Sequence, residues 1–105
     1  MSKVEQFYVK NQFIIENDDE ITFQSYNSTI AIYDRKNCLL TLGRNWDYST
    51  TTRKYLYMFI NDYTYIKDEK ENCFIDYKLN NTANKRAYIQ KLIDRKVINY
   101  SEELY

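Results

Sequence analysis

The sequence predicts an α+β fold, a single domain spanning residues 1–105 in which an antiparallel β-meander packs against two α-helices. Three observations predict it. Apolar and polar residues alternate through residues 21–42, the period of a half-buried strand. After Gly43, the only glycine of the chain, the apolar spacing lengthens to that of an amphipathic helix. Clusters of Asn and Asp at 16–20, 26–28, 34–37 and 80–84 fall between the periodic runs. These residues tolerate left-handed backbone and cap their own amides, so a chain with one Gly and no Pro has to build its turns from them.

Phe7 and Val9, followed by Phe13 and Ile15, read as an N-terminal strand or a bent pair of strands. Ile21 and Phe23 then alternate with Thr22 and Gln24, giving a strand at 21–25. Ile30 and Ile32 alternate with Thr29 and Ala31 in a strand at 29–34, and after the turn "DRKN" the residues Cys38, Leu40 and Leu42 share one face of a strand at 38–42. These two runs form the clearest hairpin of the chain. Leu56, Phe59, Ile60 and Tyr63 follow the i, i+3, i+4, i+7 rule and predict a helix over 52–63. Cys73, Ile75, Tyr77 and Leu79 alternate with Phe74, Asp76 and Lys78 as a further strand. A second helix runs from Ala83 to Arg95 with Ile89, Leu92 and Ile93 inward and Thr82 as its cap, and "VINY" at 97–100 adds a short strand.

Composition bounds the chemistry. With 105 residues, 44% of them apolar, the chain can form a core without metal or disulfide staples. The twelve tyrosines accompany few Gly, Pro and Ala and many Asn, Ile and Lys, a bias expected of an A/T-rich genome. Fifteen cations balance fifteen anions, so neither a basic nucleic-acid arm nor an acidic DNA-like surface is built in. Cys38 and Cys73 stand in "NCLL" and "NCFI", without metal-binding spacing, and read as buried free thiols of a reducing compartment. The start "MSKVEQFYVK" lacks a signal-peptide core, and the longest apolar run, "YLYMFI", is far below the ~20 residues of a membrane span. The expectation is a cytoplasmic protein that does not enter a membrane.

The chain has no His, which removes the usual general base near neutral pH, the His-dependent nucleophile arrangements and the commonest metal ligand. One Gly excludes glycine-rich phosphate loops, and two distant Cys make no zinc set. Asp18, Asp19 and Glu20 read as a solvated acidic turn. The expectation is a protein that is not an enzyme and uses no cofactor or metal.

Binding has better candidates. "WDYSTTTRKYLYMF" at 46–59 places Tyr48, Ser49, Thr50, Thr51, Arg53 and Lys54 at a helix start. One hydroxyl is needed to cap the helix; the surplus hydroxyls, the free amides and the cations that follow resemble an anion site. With Leu56, Phe59 and Ile60 facing the sheet, Arg53, Tyr57 and Asn61 fall on the opposite side of the helix, and Tyr and Arg are common interface residues. A secondary basic face comprises Lys85, Arg86, Tyr88, Lys91, Arg95 and Lys96, able to follow a phosphate backbone or to serve as a solvated helix face.

"FQSYNSTIAIYD" at 23–34 followed by "WDYSTTTRKYLYMF" resembles small proteins carried by phages and plasmids of low-GC Gram-positive bacteria. In them a Tyr-Asn-Ser strand precedes an Asp-Tyr-Ser-x-Thr-Thr segment that opens a helix, here Ser49, Thr51 and Thr52 with Tyr48 before and Tyr55 and Phe59 after. The likeness covers residues 21–60 and brings no catalytic or ligand assignment. It implies a mobile element's accessory protein in a bacterial cytoplasm, and by analogy an anti-CRISPR or other anti-defence inhibitor that binds a host protein or ribonucleoprotein complex stoichiometrically. Two alternatives stay open: a small RNA- or DNA-binding accessory protein, and a phage structural or regulatory module.

Overall fold

The structure, a computed structural model, describes residues 3–105. Five strands open the chain: β1 (Lys3–Gln6), β2 (Gln12–Glu16), β3 (Glu20–Ser25), β4 (Ser28–Asp34) and β5 (Leu39–Gly43). Helix α1 (Thr50–Tyr63) follows, then a two-residue pair β6 (Lys67–Asp68) and β7 (Cys73–Phe74), helices α2 (Ile75–Asn80) and α3 (Lys85–Asp94), and β8 (Asn99–Ser101). The main sheet runs β1-β2-β3-β4-β5-β8; its first five strands are antiparallel neighbours and β8 joins β5 in parallel. The α+β class is therefore as predicted, with three helices among the described residues instead of two.

A bent pair of strands does open the chain, but Phe7 and Val9, expected in a strand, lie in the turn between β1 and β2, where Tyr8 and Asn11 take positive φ. Gln12 and Ile14 face inward, leaving Phe13 and Ile15 on the other face. The 29–34 strand departs from simple alternation. Phe23 pairs with Ala31 and Gln24 with Thr29, so Ile30 is an extra residue in β4, a bulge. The bulge resets the pleat: Ile30, Ala31 and Tyr33 are buried, whereas Ile32 turns outward. Cys38 is not in a strand at all; it occupies a turn at φ 53° and is exposed, and Cys73 is half-buried. Neither is the buried thiol that the sequence predicts.

The predicted strand at 73–79 is corrected as well. Only Cys73 and Phe74 are extended; from Ile75 the chain is helical, and Ile75 and Leu79, one turn apart, are its buried residues. Period two and period four both place 75 and 79 on one face, so the apolar spacing alone could not separate them. In α3 the cap is Asn84, which accepts from the Ala87 amide, and Tyr88, Ile89 and Leu92 are buried while Ile93 is only partly covered.

One core joins the layers. Phe23 of β3 stacks on Phe59 of α1 at 5.8 Å, with Phe7 edge-on to Phe23. Leu40, Leu42, Trp46, Leu56, Ile60, Ile89 and Leu92 complete its centre. Gly43 has its own reason to be glycine: a Cβ there would stand 2.6 Å from the Thr29 carbonyl oxygen and 2.8 Å from Leu104 Cβ. The C-terminal residues pass that close, and the Leu104 carbonyl accepts from the Arg44 amide. Among the described residues no helix is long and apolar enough to cross a membrane.

Candidate functional site

The start of α1 is where the predicted residues gather. Ser49 adopts extended backbone and its hydroxyl accepts from the Thr52 amide at 3.1 Å, a regular N-cap. The Thr52 side chain is buried and takes a 3.1 Å hydrogen bond from the Ser49 hydroxyl. Trp46, at the head of the same stretch, is a core residue, and Tyr48 beside it is 80% exposed. Of the four consecutive hydroxyl residues, two thus serve the fold, while Thr50 and Thr51 are exposed.

Ser49, Thr51 and Thr52 form one wall of a cavity of about 590 Å³. The opposite wall is the β3–β4 turn, Ser25 to Ser28, with Ile30 as the apolar floor and Asn45 and Tyr48 closing the side. The Tyr-Asn-Ser and Tyr-Ser-x-Thr-Thr segments, separate in sequence, therefore face each other across one space. Its rim carries two exposed tyrosines, Tyr26 and Tyr48, and no lining residue is charged. Tyr26 sits at φ 53°, a left-handed conformation that costs an L-residue about 1–2 kcal/mol and that glycine or asparagine ordinarily fills. Strain of this kind clusters at functional sites. Its amide is held by the Asn11 carbonyl at 2.7 Å.

Arg53, Lys54 and Tyr57 do not belong to that cavity. Arg53 donates to Asp47 Oδ1 at 2.7 Å and to the Thr50 hydroxyl at 3.3 Å, and Arg86 donates from α3 to the other Asp47 oxygen at 2.6 Å. Burial of Asp47 works to raise its pKa, but the hydrogen bonds from Arg86 and Arg53 outweigh it and hold the carboxyl below the usual range. Tyr57 is half-buried against the core, and Asn61 accepts from Asn80 at 2.7 Å. Of the face expected to project freely, Arg53 and Tyr57 are thus half-buried, and Asn61 stays exposed. What remains open there is a second cavity of about 590 Å³, with Thr50, Arg53, Lys54, Tyr57 and Lys85 among its lining residues.

The basic face at 85–96 is dispersed. Arg86 is committed to Asp47, and Arg95 grips Asp68 with two 2.8 Å hydrogen bonds. Lys85 donates to the Thr82 carbonyl, and Tyr88 is buried, its hydroxyl without a partner and its pKa pushed up to about 12, chiefly by burial. Lys91 and Lys96 are left exposed. The sequence could not show this because the partners, Asp47 and Asp68, lie far away along the chain. Among the described residues no group of three or more His, Cys, Asp or Glu is placed to hold a metal ion.

A family model matches residues 1–75, well over half of the chain; it is described as a family of unknown function, DUF8033. The chain belongs to DUF8033. No curated protein matches it, and no solved structure does. In this DUF8033 member the matched span carries β1 to β7 and α1, and with them every residue that lines the cavity between the β3–β4 turn and the helix start. Helix α3 with Arg86, its C-cap Arg95, and β8 lie beyond it. Ser25, Asn27, Ser28 and Asn45 in the lining, and Tyr26 at the rim, are not among the residues expected at the site. The signal for them in the sequence is the Tyr-Asn-Ser triplet at 26–28.

Proposed function

We propose that the protein is a non-catalytic binding protein that disables a host-defence complex by stoichiometric engagement, with the cavity between Tyr26 and Tyr48 as its contact surface. The observation that carries the contact surface is Tyr26: an aromatic residue kept at positive φ and 59% exposed beside the helix start. Tyr8, Cys38 and Lys96 sit at positive φ as well, so the exposed ring at the cavity rim is what favours contact, an aromatic being the residue type of protein-interface hot spots. The absence of His and of glycine-rich phosphate loops from the sequence favours binding over turnover. The defence setting comes from the resemblance to phage and plasmid accessory proteins and to that extent is an analogy. A phosphate-backbone role has less support, since Arg86 and Arg95 are both ion-paired.

The test is a phage-plating assay in bacteria that carry a panel of defence systems, with the chain expressed from a plasmid. The expected result is restored plating against one system, lost on Tyr26→Ala/Tyr48→Ala double substitution while the melting temperature holds. Unrestored plating across the panel contradicts the inhibitor reading. Restoration that survives the double substitution contradicts the contact surface.

A further inference from the structure

We infer that the second cavity, the one lined by Arg53, Lys54 and Lys85, binds a small phosphate monoester of the nucleoside monophosphate class. It is distinct from the tyrosine-rimmed cavity, and the inference does not rest on that cavity being a contact surface. Its three cations come from two helices, Arg53 and Lys54 from α1 and Lys85 as the first residue of α3. Against them stands one carboxylate, Asp62, which already accepts from the Tyr8 hydroxyl at 2.5 Å. Three cations against one carboxylate leave the lining with an excess of two positive charges, in a chain whose formal net charge is zero. Behind the wall Asp47 and Arg86 cancel each other and leave that excess unaltered.

The cations keep donors to spare. Among the described residues neither lysine is ion-paired. The Lys54 ammonium has only the Tyr55 ring beside it, 5.4 Å from the centroid. Lys85 is half-buried, and its ammonium donates once, to the Thr82 carbonyl at 3.0 Å. Arg53 spends Nη1 on Asp47 and one Nη2 hydrogen on the Thr50 hydroxyl, which leaves its Nε–H and a second Nη2 hydrogen. Partial burial of an ammonium without a counter-charge costs free energy that a bound anion recovers.

Charge, size and lining select the anion. A phosphate monoester carries about −1.5 to −2 at neutral pH and matches the excess, whereas a carboxylate supplies half of it. The volume of about 590 Å³ falls within the range of small-molecule sites, about 300–1,000 Å³, and is larger than a free phosphate ion fills. Tyr57 and Met58 give the rest of the wall an aromatic ring and a thioether, the surface on which a flat base stacks. A nucleic-acid strand needs positive charge that continues along a groove, and beyond the cavity Arg86 and Arg95 are ion-paired. A single nucleotide therefore fits the site better than a strand.

The test is an amide-resolved NMR titration of the isotope-labelled chain with adenosine monophosphate, adenosine, inorganic phosphate and a short oligoadenylate, at about 50 mM salt to limit screening. The expected result is saturable shifts at Lys54, Tyr57, Met58 and Lys85 with adenosine monophosphate. It should bind about tenfold tighter than adenosine or phosphate, and no more weakly than the oligonucleotide. Lys54→Gln removes no hydrogen bond or ion pair of the fold, so it should leave the spectrum otherwise native and weaken adenosine monophosphate about tenfold. Lys91→Gln, at an exposed lysine of α3 outside the lining, should leave the affinity unchanged. Adenosine binding as tightly as its monophosphate overturns the phosphate assignment, and inorganic phosphate doing so overturns the nucleoside. A tighter oligoadenylate overturns the small ligand in favour of a strand. Absence of saturable shifts with every probe, an unaltered affinity in Lys54→Gln or an equal loss in Lys91→Gln overturns the site itself. None of these outcomes bears on the tyrosine-rimmed cavity, which the plating assay tests separately.

Discussion

Replacing Tyr26 by Gly and, separately, by Ala divides the two roles assigned to that residue. Both substitutions remove the same ring, which is 59% exposed, so both lose the same small packing contribution. They differ in the backbone. At φ 53° Ala keeps the left-handed penalty of ~1–2 kcal/mol, whereas Gly relieves it but loses about 0.5–1 kcal/mol more entropy on folding. The difference favours Gly by about 1 kcal/mol, which for a chain of this size is roughly 4 °C in melting temperature. Thermal unfolding followed by circular dichroism reads that difference, and the plating assay reads the ring. The expected pattern is a Gly variant that melts above the Ala variant and close to the parent, with the two equally defective in the assay. An Ala variant that melts as high as the Gly variant would refute the strain argument. Full activity in the Gly variant would refute the contact role of the ring.

Two further predictions follow from polar groups in the core. Asp68 is 1% exposed and bound by Arg95; Arg95→Met should leave its carboxylate without a counter-charge and destabilise the fold at pH 7 by about 3 kcal/mol, measured by urea unfolding. The hydrogen bonds from Arg95 hold the Asp68 carboxyl below its ordinary value against the opposing effect of burial, so the folded state binds fewer protons than the unfolded one. The stabilisation is complete above the unfolded value near pH 4 and is lost as pH falls through the folded value. The gap between parent and Arg95→Met should therefore be widest near neutrality and close in acid; a gap that is constant with pH would show that Arg95 acts through packing. Tyr88→Phe deletes a buried hydroxyl without a partner and should leave stability unchanged or raise it by up to ~1 kcal/mol in the same unfolding assay; a loss above 1 kcal/mol would mean that the hydroxyl is hydrogen-bonded in solution.

The parts of the fold legible in the sequence are those where one local period decides the outcome. Ile21 and Phe23, Leu40 and Leu42, and the Leu56-Phe59-Ile60 stripe all land in the core as their spacing requires. Ile32 was misplaced because a bulge at Ile30 shifts the pleat by one residue, and nothing in "STIAIYD" marks it. Ile75 and Leu79 were misassigned because four-residue spacing satisfies strand and helix alike. The helix cap was readable because capping is local, a matter of Ser49 and Thr52. The site was half readable. Tyr48, Ser49 and Thr51 do line the cavity, but its other wall comes from the turn at 25–28, and strand pairing sets that juxtaposition. Arg53, Arg86 and Arg95 looked free because the acids that bind them are 6, 39 and 27 residues away.

The most direct test of the account is a titration of the purified chain against the defence complex that the plating panel identifies, with that complex's own activity as the readout. The account predicts inhibition that is complete at a fixed, near-stoichiometric ratio of chain to complex, unaffected by a chelator of the chain's own preparation, and shifted at least tenfold by Tyr26→Ala/Tyr48→Ala. Complete inhibition at a small fraction of that ratio would reveal turnover and contradict binding as the mechanism. An unshifted curve for the double variant would contradict the cavity as the place where binding occurs.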